Sequence, residues 1–508
     1  MFSPYLSILR CALCGLGRPW AGPGRFVRIA FLGWTLASAR GQGLPPAVRQ
    51  ISAGAYHAAA LDSAGGAWFW GRNNAGQLGD GTTLDRVRPV QLPAPTGAAA
   101  GTRWTAVVAG TFHSAALRSD GSLWMWGDNT NGQLGDGTRT PRQTPVAVAA
   151  PASVPVGTRW TQVALGANHT LALRSDGTLW AWGANYWGQL GDNSGQTQLR
   201  PVRIPVPTAA NGAVWNLVVT GDDHTLARAS DGLVFGWGRD QRAQLGVGTI
   251  TFVHPFPTVA FQAPLPAGTA WAELAAGEAF SLGLNANGTL WACGTNESGQ
   301  LGGVAPLPGW AGQPVAIAPP PGAAPGTAWV HISARGAHAL ALRSDGSLWG
   351  WGENFDGQLG LNTRLNPSGP AREVTQQSWV LAEAGTGFTL AVSRGRLYAS
   401  GTNDYGQFGD GTSNGSLVFR AVSGPLASRP PQGQKMPTLW PNPATERIHI
   451  EGFSSDACVS LIDLTGRIVQ IMPHGSSDIS IGGLAKGMYV VKVQERTQPA
   501  VSVRLVVE

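Results

Sequence analysis

The sequence predicts an all-β protein, a seven-bladed β-propeller followed by a second, smaller β-rich block, and three observations carry that expectation. One phrase, an aromatic pair, a glycine and then Gly-Gln-Leu-Gly, recurs seven times with some drift. Each recurrence is preceded by short apolar runs with strand-like alternation. The recurrence stops near Leu426, and a different pattern fills the chain up to Glu508.

The phrase opens at Trp68, Trp70 and Gly71 with Gly76-Gln77-Leu78-Gly79. It returns as Trp124/Trp126/Gly127 with Gln133-Leu134-Gly135, Trp180/Trp182/Gly183 with Gln189-Leu190-Gly191, and Phe235/Trp237/Gly238 with Gln244-Leu245-Gly246. Later copies drift: Trp291/Cys293/Gly294 with Gln300-Leu301-Gly302, Trp349/Trp351/Gly352 with Gln358-Leu359-Gly360, and Tyr398/Ser400/Gly401 with Gln407-Phe408-Gly409. A period of roughly 50 to 58 residues marks an array of supersecondary units. Within a unit, a run such as Trp104-Thr105-Ala106-Val107-Val108-Ala109 leads through Gly110 to His113-Ser114-Ala115-Ala116-Leu117. Arg118-Ser119-Asp120-Gly121 follows, with copies at residues 174–177 and 343–346. Asp-Gly between two apolar runs favours a hairpin, because glycine takes positive φ without steric cost. A last run of the Pro-Val type, at Pro89-Val90, Pro145-Val146 and Pro314-Val315, completes a small antiparallel sheet. Sheets that bury both faces against neighbours and leave only short edges form a propeller. The ring is expected to close by pairing its last strand, residues 417–422, with the sheet of the first unit.

Candidate chemistry is judged against the repeat. His57, His113, His169, His224 and His338 hold one place in their units, and Phe280 and Phe388 fill it in the other two. A wheel keeps these side chains apart, whereas structural zinc needs its ligands around one point; each histidine is expected to be buried, with one ring nitrogen bonded to a backbone group. Asp62, Asp120, Asp176, Asp231 and Asp345 fall in one turn and Asp80, Asp136 and Asp410 in another, neither with the ligand spacing of a calcium loop. The chain has no His-Glu-x-x-His or phosphate-binding glycine loop, and no catalytic residue, metal or cofactor is assigned. Paired glycosidase carboxylates drawn from different blades stay open. Cys293 replaces a core Trp, and Cys11, Cys14, Cys293 and Cys458 are too scattered for a disulfide framework.

What varies within the repeat is more informative about binding. Between each unit's Asn (Asp240 in the fourth) and its Gly-Gln-Leu-Gly (Ala243-Gln244-Leu245-Gly246 in the fourth) lie two free positions, filled by Asn74/Ala75, Thr130/Asn131, Tyr186/Trp187, Gln241/Arg242, Glu297/Ser298, Phe355/Asp356 and Asp404/Tyr405. A wheel places these pairs at equivalent points of every blade, as a ring on one face. Tyr186, Trp187, Arg242, Phe355, Asp356 and Tyr405 are the ligand-binding candidates, since aromatic anchors with polar neighbours suit sugar rings, peptides or protein surfaces. The alternative reading packs them on adjacent loops.

Residues 48–426, through the motifs above, resemble the regulator of chromosome condensation repeat family, whose members form seven-bladed propellers. The best-known member of that family is a guanine-nucleotide exchange factor for a small GTPase. That activity is not carried over, because no large insert resembles the wedge that such a factor uses and because both ends of the chain point to export. Propellers are scaffolds whose functions lie in grafted loops.

The C-terminal block begins Trp440-Pro441-Asn442-Pro443-Ala444 and continues through Arg447-Ile448-His449-Ile450, Ile462-Asp463-Leu464-Thr465-Gly466 and Gly487-Met488-Tyr489-Val490-Val491. This order of motifs resembles the C-terminal sorting domain of the type IX secretion system of Bacteroidota, a small β-sandwich that addresses a protein through the outer membrane. The resemblance assigns the sorting motif to Pro441, Asn442, Pro443, Asp463, Gly466, Gly487 and Tyr489, and implies the type IX export machinery as a partner. At the other end, Arg25-Phe26-Val27-Arg28, the apolar stretch 29–36 and Ala37-Ser38-Ala39 have the layout of a secretory signal peptide. The alternative there is a disordered tail.

The expected organisation is a leader over residues 1–42, the propeller over 43–427, a linker over 428–435 and the sorting domain over 436–508. The net charge of +6 and pI of about 9.4 invite a nucleic-acid partner. Lys occurs only at Lys435, Lys486 and Lys492, and the repeated Arg is spread around the ring, so that reading is set aside. No stretch has the roughly 20 consecutive apolar residues of a membrane-spanning helix. The functional expectation is a secreted or outer-membrane-surface propeller that binds a glycan or a protein and is not an enzyme. A polysaccharide-acting enzyme with its site in the central funnel and an exchange-factor-like regulator are the alternatives.

Overall fold

The computed structural model describes residues 48–422 and 438–507, apart from the short segments 152–154, 156, 211, 264–269, 304–308, 368, 441–443, 452–456, 464–467, 473–476, 485–486 and 495–500. The leader, the linker, Pro441, Asn442, Pro443 and Gly466 therefore lie outside the described residues. The chain divides into two compact units, which part after Ser428.

In the first unit, strands β1 (Val48–Ala53), β2 (His57–Asp62), β3 (Ala67–Gly71) and β4 (Arg86–Gln91) pair antiparallel in chain order. Six more four-stranded sheets repeat this blade. The apolar clusters lie between blades rather than within them: Phe69, Leu78 and Leu92 of the first blade pack with Trp104, Trp124 and Trp126 of the second, and the same happens at the following joints. Burying one indole stabilises on the order of 5 kcal/mol, so apolar surface supplies most of the attraction.

Polar groups decide which surfaces fit. The Gln77 carbonyl accepts hydrogen bonds from Trp126 Nε1 at 2.9 Å and Ser114 Oγ at 2.7 Å, both on the next blade. Ser114 Oγ in turn lies 2.8 Å from His57 Nε2. The hydroxyl proton is committed to the carbonyl, so the imidazole must donate through Nε2. The same chain links His113, Thr170, the Gln133 carbonyl and Trp182, and likewise His169, Thr225, the Gln189 carbonyl and Trp237. The last glycine of the phrase leaves the room: a Cβ on Gly135, at φ +70°, would sit 2.8 Å from the Trp182 indole nitrogen. Where Cys293 replaces Trp, its thiol reaches the Gln244 carbonyl at 3.5 Å.

Residue types across the joints are matched. His57, His113, His169, His224 and His338 face Ser114, Thr170, Thr225, Ser281 and Thr389. The two blades with Phe in place of His, at Phe280 and Phe388, are followed by blades with Ala339 and Ala58 where the hydroxyl would stand. The histidines thus bond a neighbouring hydroxyl rather than the backbone group expected from sequence. All five are fully buried with Nδ1 unpartnered, and burial lowers their pKa to about 3.

The ring does not close as expected. The last strand, Ser416–Ala421, pairs with Arg396–Gly401 of its own blade. The first blade already owns four strands, so none is missing; Trp70 Nε1 donates to the Gln407 carbonyl at 2.7 Å, and Thr386 N to the Gly54 carbonyl at 3.3 Å, as at the other joints. The repeated Arg118, Arg174 and Arg343 stack on Trp104, Trp160 and Trp329 at 4.7–4.8 Å, which gives them a structural role.

The second unit is a sandwich. Strands Thr438–Trp440, Arg447–Glu451 and Asp478–Ser480 form one sheet; Ile468–Met472, Cys458–Asp463, Gly487–Gln494 and Val501–Val507 form the other. Ile448, Ile450 and Ile479 of the first share a core with Val459, Leu461, Val491 and Leu505 of the second. Asp463 pairs with Tyr489, which is buried, and Gly487 pairs with Val507.

Two predictions follow from the joints. Ser114→Ala strands a buried donor on His57 and is expected to cost about 1–3 kcal/mol. Adding His57→Phe rebuilds the Phe–Ala pairing and should recover most of it; simple additivity in thermal melts would refute the matching. The second concerns pH. A histidine held neutral in the fold but ionising near 6.5 when unfolded gives stability that is present above 6.5 and lost as pH falls toward 3, at up to about 1.4 kcal/mol per pH unit. Glu383, raised to about 7, acts in the opposite sense, so the clean measurement is a difference. His113→Phe with Thr170→Ala should flatten the fall of Tm between pH 6.5 and 4 relative to the parent.

Candidate ligand-binding face

Two sets of loops meet at one end of the propeller, because His57, which opens β2, pairs with Gly71, which ends β3. One set joins the first strand of each blade to the second and surrounds the axis. The other carries the Asn-x-x-Gly-Gln-Leu-Gly phrase. Asn73 organises that loop by accepting from Leu78 N at 2.9 Å and donating through Nδ2 to the carbonyls of Thr82 and Leu84 at 3.1 Å. Gln77 Oε1 accepts from Ala75 N at 2.9 Å. With the ends of the turn pinned, the two free positions point outward. Asp240 takes the Asn place in the fourth blade, and its second oxygen lies 3.4 Å from His254 Nε2.

The sequence-assigned candidates divide between open and packed. Tyr186 is 69% exposed and Phe355 60%. Trp187 lies under Arg239, whose guanidinium is 5.0 Å from the ring centroid. Tyr405 is half-buried, edge-on to Tyr56 at 5.8 Å and beneath Arg72 at 4.7 Å. Neighbouring loops touch in series: Tyr186 Oη reaches Asn131 Oδ1 at 3.4 Å, and Arg242 pairs with Glu297 at 2.7 Å. Asp356 is exposed, its carboxyl pushed up by burial of part of the group, with Arg364 opposing and Asp404 reinforcing the shift.

Sequence reasoning missed the inner ring of this face. Arg72 stands over Tyr56 and Phe112 at 5.2 and 5.3 Å as well as over Tyr405, joining the seventh, first and second blades. The fourth to sixth blades bring carboxylates instead. Burial pushes Asp222 upward against the opposing charge of Arg335; Asp223 and Glu278 are pushed upward by burial and then by repulsion from Asp222, and Glu353 by burial and by Asp356 and Glu278. Arg239 offsets Asp223 from 3.6 Å. The signal was available in the two positions between Gly and His, which read Ala55-Tyr56, Thr111-Phe112, Asp222-Asp223 and Glu278-Ala279 while everything around them repeats.

Deeper along the axis, the first strands of the blades lie edge-on and their polar side chains satisfy the next blade's backbone. Gln50 bonds both N and O of Val107, and Gln162 both of Val218. The fifth to seventh blades use charge. Glu273 accepts from Ile332 N at 2.9 Å and from His331 Nδ1 at 3.2 Å, while His331 Nε2 donates to the Ala382 carbonyl at 3.2 Å and lies 3.9 Å from Glu383. Burial works against the charged imidazole, but Glu273 and Glu383 outweigh it and raise its pKa to about 9. Glu383 also accepts from Ser333 Oγ at 3.0 Å. Glu273 is thus bonded to the imidazolium, whereas Glu383 lies beyond hydrogen-bond reach of it and burial raises its carboxyl to about 7. Among the described residues no group of three His, Cys, Asp or Glu is placed to hold a metal ion.

Comparison with known proteins agrees with this architecture. The RCC1-like domain profile matches residues 153–461, and regulator of chromosome condensation (RCC1) repeat profiles match residues 48–77, 64–117, 104–133 and 120–173. A secretion system C-terminal sorting domain matches residues 438–508. The ultraviolet-B receptor UVR8 of Arabidopsis thaliana is 33% identical over 387 residues, 75% of this chain and 83% of the receptor. The human E3 ubiquitin-protein ligase HERC2 is 28% identical over 319 residues, but the matched part is 6% of that ligase. Among solved structures, Prp20p of Saccharomyces cerevisiae superposes with a TM-score of 0.58 at 23% identity over 67% of this chain and 81% of its own. Human WBSCR16 gives 0.60 at 23% identity over 69% and 87%. The chain belongs to the regulator of chromosome condensation repeat family, as an RCC1-like propeller that carries a type IX secretion sorting domain at its C-terminal end.

Proposed function

We infer that this is an exported binding protein, released or held at the cell surface, whose loop face takes a glycan or protein ligand. The sorting domain supplies the address. The propeller supplies a wheel whose seven loops share two hydrogen bonds, from the Leu or Phe N–H to the Asn or Asp Oδ1 and from the second free position's N–H to the Gln Oε1, while the free pairs differ. Tyr186, Trp187, Arg242, Phe355, Asp356 and Tyr405 form the contact set on this reading. The observation that carries it is the exposure of Tyr186 and Phe355, 69% and 60%, on a scaffold that buries the tryptophans of its repeat. An open aromatic ring with polar neighbours loses water favourably against a sugar face or an apolar side chain.

Removing residues 438–508 is expected to keep the propeller inside the cell envelope of a type IX-secreting host, checked by fractionation and immunoblot; undiminished release would refute the address. On glycan and protein arrays, Tyr186→Ala with Phe355→Ala should weaken ligand capture at least tenfold. Both side chains are exposed, so Tm should hardly change, and undiminished capture would place the ligand elsewhere.

A further inference from the structure

Six of the seven blades turn from first to second strand through a glycine that admits no side chain. A Cβ on Gly54 would lie 2.4 Å from the Gly110 carbonyl oxygen, and one on Gly221 2.4 Å from that of Gly277. The sixth blade breaks this rule. Arg335 stands at the glycine position, the glycine has moved to Gly336 at φ +55°, and the strand runs on so that Arg335 pairs with His338. Departures from an otherwise consistent local pattern concentrate where a site gains from them.

Here the gain is a guanidinium at the mouth of the axis. Arg335 Nη2 reaches across to Thr111 Oγ1 of the second blade at 3.1 Å. Its Nε is buried and has no hydrogen-bond partner, and no described carboxylate forms an ion pair with it. A buried donor left unmade is costly and calls for an acceptor. Arg335 also lies within electrostatic reach of Asp222, whose carboxylate opposes the effect of burial on the guanidinium, and Thr111, which it reaches, adjoins Phe112. Tyr56 carries the second guanidinium of this region, Arg72, which is held by three aromatic rings and likewise has no described carboxylate partner.

Two guanidinium groups thus flank one aromatic wall. A guanidinium offers a planar fork of N–H donors matched to a carboxylate or sulfate, and an aromatic wall offers an apolar face to the C–H side of a sugar ring. A neutral sugar offers hydroxyl acceptors to Arg335 Nε but no anionic group to the two guanidiniums, and a bare inorganic anion would leave the wall unused. Asp222, Asp223 and Glu278 repel an anion and bar it from the fourth and fifth blades, although Asp222 stands within electrostatic reach of Arg335 itself. Resting on the loop-face reading above, we propose that the mouth is a subsite for an acidic sugar residue of an extracellular polysaccharide, its anionic group held by Arg335 and Arg72 and its ring set against Tyr56, Phe112 and Tyr405.

The test is calorimetric titration of the full chain with an oligogalacturonate, its methyl ester and a sulfated galactan oligosaccharide of equal length. An acid form binding at least tenfold tighter than the ester supports the subsite, and the uronate and sulfate arms identify which anion it takes. Arg335→Gly restores the glycine of the other six blades and should lower affinity at least tenfold with Tm retained, Arg335→Lys should fall between, and Asp222→Asn should tighten binding severalfold. Equal affinity for acid and ester, or an Arg335→Gly protein with unchanged Tm and unchanged affinity, overturns the subsite. Capture of a peptide through its C-terminal carboxylate in place of either sugar overturns the ligand class. If the subsite fails while Tyr186→Ala with Phe355→Ala still abolishes capture of another ligand, the loop face stands without it; if neither set of variants alters any capture, the loop-face reading falls too.

Discussion

One backbone oxygen per blade carries the assembly. The carbonyl of the glutamine in the repeated phrase is the point to which the next blade is fastened, by an indole and a hydroxyl together at three joints and by a hydroxyl with a thiol, by an indole or by a hydroxyl at the other four, and around it the apolar surfaces find their register. Each intact hydrogen bond contributes only about 1 kcal/mol, far less than the tryptophan it orients. Its value is directional: a burying surface slides, whereas an indole that must reach one oxygen does not. The glutamine side chain, the asparagine and the final glycine all serve to hold that carbonyl in place, which explains why these residue types recur when the outer strands scarcely resemble one another.

The repeat, the number of blades and the isolation of the histidines were legible because they depend on contacts within a unit or on position alone. The partners of the histidines were not. His57 and Ser114 are 57 residues apart, so their pairing becomes visible only when adjacent blades are set side by side. The mode of closure was misread for a related reason: circularity suggested an exchanged strand, but side-chain joints already provide closure once the first blade is complete. Arg335 escaped notice because comparison of units rewards sameness, and a glycine displaced by one position looks like drift until the crowding at Gly54 and Gly221 shows what the displacement achieves.

The loop face is uneven by construction. Seven similar frames hold different pairs, and the inner ring sets Arg72 with the Tyr56, Phe112 and Tyr405 rings on one arc and Asp222, Asp223 and Glu278 on another. A symmetric wheel with this polarity presents its ligand with an orientation as well as a surface. Beneath it, the Glu273–His331–Glu383 arrangement uses charge to complete hydrogen bonds between the first strands of neighbouring blades.

The matched His–hydroxyl and Phe–Ala joints have a consequence for how such a chain finds its native order. Blades this alike risk docking out of sequence while the ring is still open. Ala58 set against any histidine-bearing blade would bury an unanswered N–H, and a serine or threonine set against Phe280 would lose the N–H donor to its oxygen, so each mispairing carries its own penalty. The joints act as a proofreading code between successive copies, and a blade duplicated or lost in evolution has to carry the matching letter on both sides before the wheel accepts it.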